Sequence, residues 1–199
     1  MKIIGITGGV GSGKSQVLAF MKERFGAVIC QADQVAWKLQ EQGERCYRDI
    51  VKHFGTEILN ADKTINRKVL GKVVFGNEAE LRVLNEIMHP AVKNEINAMI
   101  QTERENKTEL FVLEAALLIE EHYDEICDEL WYIGTDEQIR RQRLKETRDY
   151  SDEKIDAIME SQLSEEMFRK ACKRVIDNSG TFENTCVQVE NFVKQLGEN

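Results

Sequence analysis

An α/β fold, a parallel sheet with helices on both faces, is what this 199-residue sequence predicts. Three observations predict it. Short apolar runs recur at 3–6, 27–30, 110–113, 130–133 and 174–176. Charged stretches of helical character separate most of them, and the first run leads straight into a glycine-rich segment at 8–15. Runs this short and apolar suit strands buried on both faces, and alternation with helices brings such strands side by side in parallel.

The first strand covers Ile3 to Ile6. The segment after it, Gly8-Gly9-Val10-Gly11-Ser12-Gly13-Lys14-Ser15, satisfies the phosphate-loop pattern G-x-x-x-x-G-K-S/T. Glycines let the backbone wrap closely and turn its N–H groups inward, a lysine in the place of Lys14 reaches the β and γ phosphates, and the Ser15 hydroxyl is a ligand for Mg²⁺. Gly9, Val10, Gly11, Ser12, Gly13, Lys14, Ser15 and Gln16 are therefore the expected triphosphate-binding residues. Val17, Leu18, Met21 and Phe25 recur at helical spacing, so a strand hands over to an amphipathic helix whose positive end adds to the anion site. A dinucleotide fingerprint is not met, because the third glycine of G-x-G-x-x-G counted from Gly9 falls on Lys14. The expected fold is of the P-loop NTPase type.

The second run ends in Gln31-Ala32-Asp33, which puts a carboxylate at the carboxyl end of a strand, the rim where open α/β sheets bind ligands. Two readings stand for Asp33: a group that accepts or aligns the proton of an attacking hydroxyl, or the N-cap of a helix over 34–42. Residues 34–109 are too many for a simple crossover and lack strand signals, so a helical substrate-binding insertion is expected at about 61–104. Within it His89-Pro90 closes a helical stretch over 81–88, the proline turning His89 away from α conformation. The third strand ends at Glu114, either a group near Mg²⁺ or a charged strand end. The block from Glu137 to Lys173 reads as helices, either a lid over about 138–170 or a solvated pair. In it Arg140 and Arg143 share a face, and one or two of Arg140, Arg141, Arg143 and Arg148 are expected over the phosphates, with salt bridges to Glu137, Glu146 or Asp149 for the others. Phe182, Cys186, Val189, Val193 and Leu196 form the apolar stripe of a last helix. The core would be 1–60, 105–137 and 171–199, all within one domain.

A formal charge of −8 disfavours a nucleic-acid surface, which needs clustered Lys and Arg. Five cysteines without a C-x-x-C pair fit buried thiols in a reducing compartment and no zinc site. With no apolar run of spanning length and no charged lead into a cleavable segment, a cytoplasmic protein is expected, with no membrane contact and no obligate protein partner. Trp37 and Trp131 read as packing residues rather than base-stacking ones.

Taken together these residues resemble the dephospho-CoA kinase family over nearly the whole chain. Ile4 to Ser15 is similar to the family's start and Ala32-Asp33 to its acidic position. Asn66-Arg67-Lys68-Val69-Leu70, Val74-Phe75 and Leu84-Asn85-Glu86-Ile87-Met88-His89-Pro90 are similar to its acceptor-binding insertion, and Gln162 and Val175-Ile176-Asp177-Asn178-Ser179-Gly180 match further on. Gln16 stands where a threonine is usual, Ala115 to Glu120 lacks the family's proline, and Arg143 to Arg148 is one residue longer than the usual lid spacing. The resemblance implies ATP-dependent phosphorylation of the ribose 3′-hydroxyl of dephospho-CoA, with Mg²⁺. Lys14, Asp33, Arg140 and Arg143 would be catalytic, the triphosphate held by Gly9 to Gln16 would be that of ATP, with Asn178 near its adenine, and Arg67 and His89 would lie beside Asp33 on the acceptor. The rivals are another small-molecule P-loop kinase and a GTPase-like switch, the latter without an Asn-Lys-x-Asp guanine motif anywhere in the chain.

Overall fold

The structure is a computed structural model and describes residues 1–197. In chain order its elements are β1 (Lys2–Thr7), α1 (Lys14–Phe25), β2 (Val28–Gln31), α2 (Ala32–Leu39), α3 (Arg45–Phe54), α4 (Arg67–Val74), α5 (Glu78–Glu105), β3 (Leu110–Glu114), β4 (Glu129–Gly134), α6 (Glu137–Arg148), α7 (Asp152–Glu160), α8 (Glu165–Ala171), β5 (Arg174–Asp177) and α9 (Phe182–Leu196), with short 3₁₀ turns at Thr56–Ile58 and Tyr123–Glu125. All five expected strands are present, and α9 carries the expected C-terminal stripe.

The chain divides into two compact units, one made of 1–30 and 104–199 and the other of 31–103. In the first, the strands run in the order β2-β3-β1-β4-β5. β1 pairs in parallel with β3, setting Ile4 opposite Val112, and with β4, setting Ile6 opposite Trp131; β4 in turn pairs in parallel with β5. Burial on both faces explains the unbroken apolar runs. Ile4, Ile6, Val112, Trp131, Ile133 and Ile176 meet Val17, Leu18 and Met21 of α1 and Val189 and Leu196 of α9 in one core. Elsewhere in the unit Tyr132 stacks on Phe168 of α8, ring centroids 4.9 Å apart.

At the amino end of β4 a buried carboxylate, Glu129, accepts hydrogen bonds from Lys173 Nζ at 2.6 Å, Arg174 Nε at 2.6 Å and Trp131 Nε1 at 2.9 Å. Burial alone would raise its pKa; the hydrogen bonds from Arg174, Lys173 and Trp131 outweigh that and bring it down to about 2. Among the thiols, Cys30, Cys46 and Cys172 are buried and Cys127 and Cys186 half-buried. Desolvation drives Cys127 and Cys172 up to about 12, aided at Cys127 by Asp128 and Asp124.

The second unit is helical, as expected of the long gap, but it begins at residue 31 rather than about 61. The reason lies in packing: Val35 of α2, Cys46 and Ile50 of α3, Ile58 of the 3₁₀ turn and Leu70 of α4 are all buried, so α2 and α3 share a core with the residues that follow. A bridge between Leu59 and Ile65 closes the loop before α4, and Asn66 caps α4 by accepting from Val69 N–H at 3.1 Å. Pro90 does not end a helix. α5 runs through it for 28 residues. Proline lacks one N–H and so forfeits one helical bond. Met88, Val92, Ile96 and Ile100 form a continuous buried stripe on both sides of it, and that burial outweighs the local signal.

The charged block folds as three helices rather than a pair. Asp136, Ser151 and Ser164 cap α6, α7 and α8 by accepting from backbone N–H groups. No helix among the described residues is long and apolar enough to cross a membrane.

Candidate active site

The phosphate loop joins β1 to α1 at the carboxyl end of the central strand, where an open parallel sheet leaves a crevice. Its backbone turns through positive φ at Gly11 (83°) and Gly13 (87°). At Gly13 a Cβ would also overlap the side-chain amide of Asn178, so this position admits only glycine. Lys14 Nζ donates to the carbonyls of Gly8 at 2.7 Å and Gly9 at 3.4 Å, and stands 3.9 Å from Glu114 Oε1.

Several side chains brace the loop from outside. Ser12 O accepts from Asn178 Nδ2 at 2.8 Å and from Thr135 Oγ1 at 3.0 Å, while Thr185 Oγ1 donates to Asn178 Oδ1 at 2.8 Å. Asn178 therefore ties the loop to α9, its Nδ2 on Ser12 and its Oδ1 on Thr185. Arg140 lies across the loop: its Nε donates to Val10 O at 3.0 Å and its Nη2 to Gln162 Oε1 at 2.9 Å, and a Cβ on Gly9 would strike the guanidinium. Gln162 Oε1 also accepts from Val10 N–H at 3.2 Å. Burial pulls the pKa of Arg140 down from the ordinary guanidinium value, and Tyr132, Glu137 and Glu165 counter it.

Arg143 Nη2 donates to Asn178 O at 3.0 Å. Its Nη1 is buried with no hydrogen-bond partner, as are Thr7 Oγ1 and Ser12 Oγ. Buried polar groups are rarely left unsatisfied, and each such group costs about 1–3 kcal/mol. Three of them on and beside a phosphate loop mark a place built for a polar ligand. The four arginines are thus separated by geometry: Arg140 and Arg143 go to the loop, Arg141 pairs with Glu137 at 2.8 Å and Asp156 at 2.6 Å, and Arg148 lies 6.0 Å over the Tyr150 ring.

For a metal, Ser15 is exposed in the first turn of α1 and the Glu114 carboxylate ends β3. These are hard oxygen donors and few in number. That suits Mg²⁺, which keeps several waters and takes phosphate oxygens as ligands. Among the described residues no cluster of three or more His, Cys, Asp or Glu forms a cage for a tighter ion.

In the helical unit Asp33 occupies the first turn of α2 and is exposed. The capping position belongs to Gln31, so Asp33 is not the N-cap, and the helix starts at Ala32, two residues earlier than expected. Trp131 is wholly buried, as a packing residue should be, but Trp37 is 49% exposed and departs from that expectation. The guanidinium of Arg67, exposed at the start of α4, lies 4.7 Å over the Trp37 ring. His89 is half-buried on α5 and lines an open groove of about 380 Å³ with Arg82, Asn85, Glu86 and Pro90.

Spacing alone did not single out Thr135, Thr185 or the double role of Gln162. Thr135 directly follows β4, and the rule that ligands gather at the carboxyl ends of parallel strands was a usable signal for it. Gln162 sits in a turn between α7 and α8, with no local pattern to mark it.

Comparison with known proteins agrees across the chain. The family model for dephospho-CoA kinase matches residues 2–184. A dephospho-CoA kinase of Halalkalibacterium halodurans is 40% identical over 195 residues, covering 97% of this chain and 96% of its own, and one of Bacillus cereus is 36% identical over 192 residues, covering 96% of each. Among solved structures, a protein of Thermus thermophilus superposes with a TM-score of 0.81 at 26% identity, covering 98% of this chain and 96% of its own. Shikimate kinase from Acinetobacter baumannii, at 13% identity and a TM-score of 0.57, covers 100% of this chain and 94% of its own and shares the fold alone. The chain belongs to the dephospho-CoA kinase family.

Proposed function

We infer that this protein transfers the γ-phosphate of ATP to the ribose 3′-hydroxyl of dephospho-CoA, giving coenzyme A and ADP, the last step of coenzyme A synthesis. The observation that carries the reading is the braced phosphate loop, with Lys14 and Arg140 upon it, in a chain 40% identical to a relative named dephospho-CoA kinase. The loop residues Gly9 to Gln16 hold the triphosphate through backbone N–H groups, and Lys14 exchanges its carbonyl partners for the β and γ phosphates. Asn178 serves ATP by fixing the loop's shape. Arg140 and the unsatisfied Nη1 of Arg143 neutralise charge on the transferring group, which a rigid guanidinium does well.

Ser15 and Glu114 are the residues that would hold Mg²⁺, directly or through water. The ion, when bound, neutralises charge shared between the β and γ phosphates. Asp33 accepts or aligns the 3′-hydroxyl proton as the new bond to the γ phosphorus forms and the bond to the β,γ-bridging oxygen breaks. Arg67 and His89 contact the acceptor. With both substrates small, soluble metabolites, the reaction belongs in the cytoplasm.

The test is ADP release with MgATP and dephospho-CoA, adenosine, AMP or no acceptor, in the wild type and in Asp33→Asn. Turnover confined to dephospho-CoA and strongly reduced in the variant is expected. Equal rates with every acceptor, or turnover with a different one, would overturn the substrate assignment.

A further inference from the structure

We propose that the exposed face of α2 is an adenine platform for the acceptor: the indole of Trp37 stacks the purine of the nucleoside whose 3′-hydroxyl meets Asp33, and Arg67 binds its 5′-diphosphate. The proposal rests on the reaction inferred above. Asp33 and Trp37 are four residues apart in one helix and both exposed, so their side chains rise side by side from one face. Residues so spaced lie roughly 5–6 Å apart at Cβ. That is the span of one ribose ring, which is what separates a nucleoside's base from its 3′-hydroxyl.

An indole left 49% exposed forfeits much of the stabilisation its burial would bring, and here it is held in place rather than loose. Arg67 covers one face of the ring at 4.7 Å while the indole as a whole stays 49% exposed, and a guanidinium stacked in this way keeps its N–H edges for phosphate oxygens. Beside the pair lies a cavity of about 460 Å³, lined also by Gln40, Glu41, Gln42, Thr64 and Ile65. Its rim is pinned by Gln42 Nε2 donating to Asp62 O at 2.6 Å and Tyr47 Oη donating to Lys63 O at 2.7 Å. A concave site with an aromatic wall, amide side chains, one guanidinium and one carboxylate offers a stacking face, a cation for phosphate oxygens and acceptors for a purine's amino group.

The chain has two tryptophans, and Trp131 is wholly buried, so a ligand-dependent change of emission reports on Trp37. Titration with dephospho-CoA in the absence of ATP is expected to quench wild-type emission, 4′-phosphopantetheine to leave it unchanged, and Trp37→Leu to abolish the quench. In steady state, Trp37→Leu should raise KM for dephospho-CoA roughly 10- to 100-fold with KM for ATP unmoved, and Trp37→Phe should restore most of the loss. An unmoved KM for dephospho-CoA in Trp37→Leu overturns the platform, as does an equal rise in both KM values, which marks a merely structural role. If the wild type phosphorylates no dephospho-CoA, the reaction itself is wrong; quenching by adenosine 5′-diphosphate that disappears in Trp37→Leu would then uphold the base platform, and its absence would overturn it.

Discussion

The two units differ in how their functional side chains are held. In the sheet unit the phosphate loop is braced at two residues by distant parts of the chain: Asn178 and Thr135 on Ser12, Arg140 and Gln162 on Val10. In the helical unit Asp33 and Trp37 stand exposed on a short helix, and the contact on Trp37 is a guanidinium, Arg67, that is itself exposed. The difference follows from what each must recognise. A triphosphate is read by backbone N–H groups whose positions must be set before it arrives, because preorganised dipoles are what stabilise charge in transfer. An acceptor with a base and a hydroxyl is read by side chains that gain their partners on binding.

The contrast can be broken or sharpened experimentally. Lys14→Ala should have the largest effect, a fall in kcat of about 10³-fold or more, since it removes charge from the transferring group itself. Asp33→Asn should lower kcat by about 10²- to 10⁴-fold with an unchanged urea midpoint, because its carboxylate braces nothing in the fold. If Asp33→Asn destabilised the protein as well, the contrast would fail.

Asn178→Ala should behave in the opposite way. It strips a hydrogen bond from Ser12 O and leaves Thr185 Oγ1 only the longer one to Asp177 O at 3.3 Å, so a loss of about 1–3 kcal/mol in urea unfolding is expected. A KM for ATP several-fold higher should accompany it, while a change in kcat alone would mean that bracing is unimportant.

Glu129→Gln, remote from the chemistry, should cost on the order of 1–2 kcal/mol, discounted for the water around exposed Lys173, with kcat unaltered. Glu129 titrates at about 2 in the folded protein, below its ordinary value near 4.5. Its contribution is therefore complete above about pH 4.5 and lost as pH falls through about 2, so the gap between wild type and variant should close on acidification.

Much of the sheet unit was legible because strands buried on both faces write themselves as apolar runs, and the phosphate loop depends on residue types at fixed spacing. The helical unit was harder. Pro90 signals a helix end by local rules, yet the buried stripe from Met88 to Ile100 carries α5 through it, and only tertiary burial reveals that. Trp37 reads as packing when exposure is unknown, and Asp33 as a cap when the helix start is misplaced by two residues. Arg140 and Arg143 were distinguishable from Arg141 only by where carbonyls and carboxylates from other elements fall. Gln162 touches Val10 across 152 positions of chain, a separation that no local pattern encodes.

The thiols buried in the fold acquire a meaning from the substrate. Dephospho-CoA ends in a free sulfhydryl and readily forms disulfides with itself and with proteins. Exchange requires a thiolate, and a cysteine titrating at about 12 presents only about one part in 10⁵ of it at neutral pH. Cys127 and Cys172 are thereby chemically silent towards the molecule the enzyme handles at every turnover, so neither of these two thiols is open to exchange with a thiol-bearing metabolite in its oxidised form.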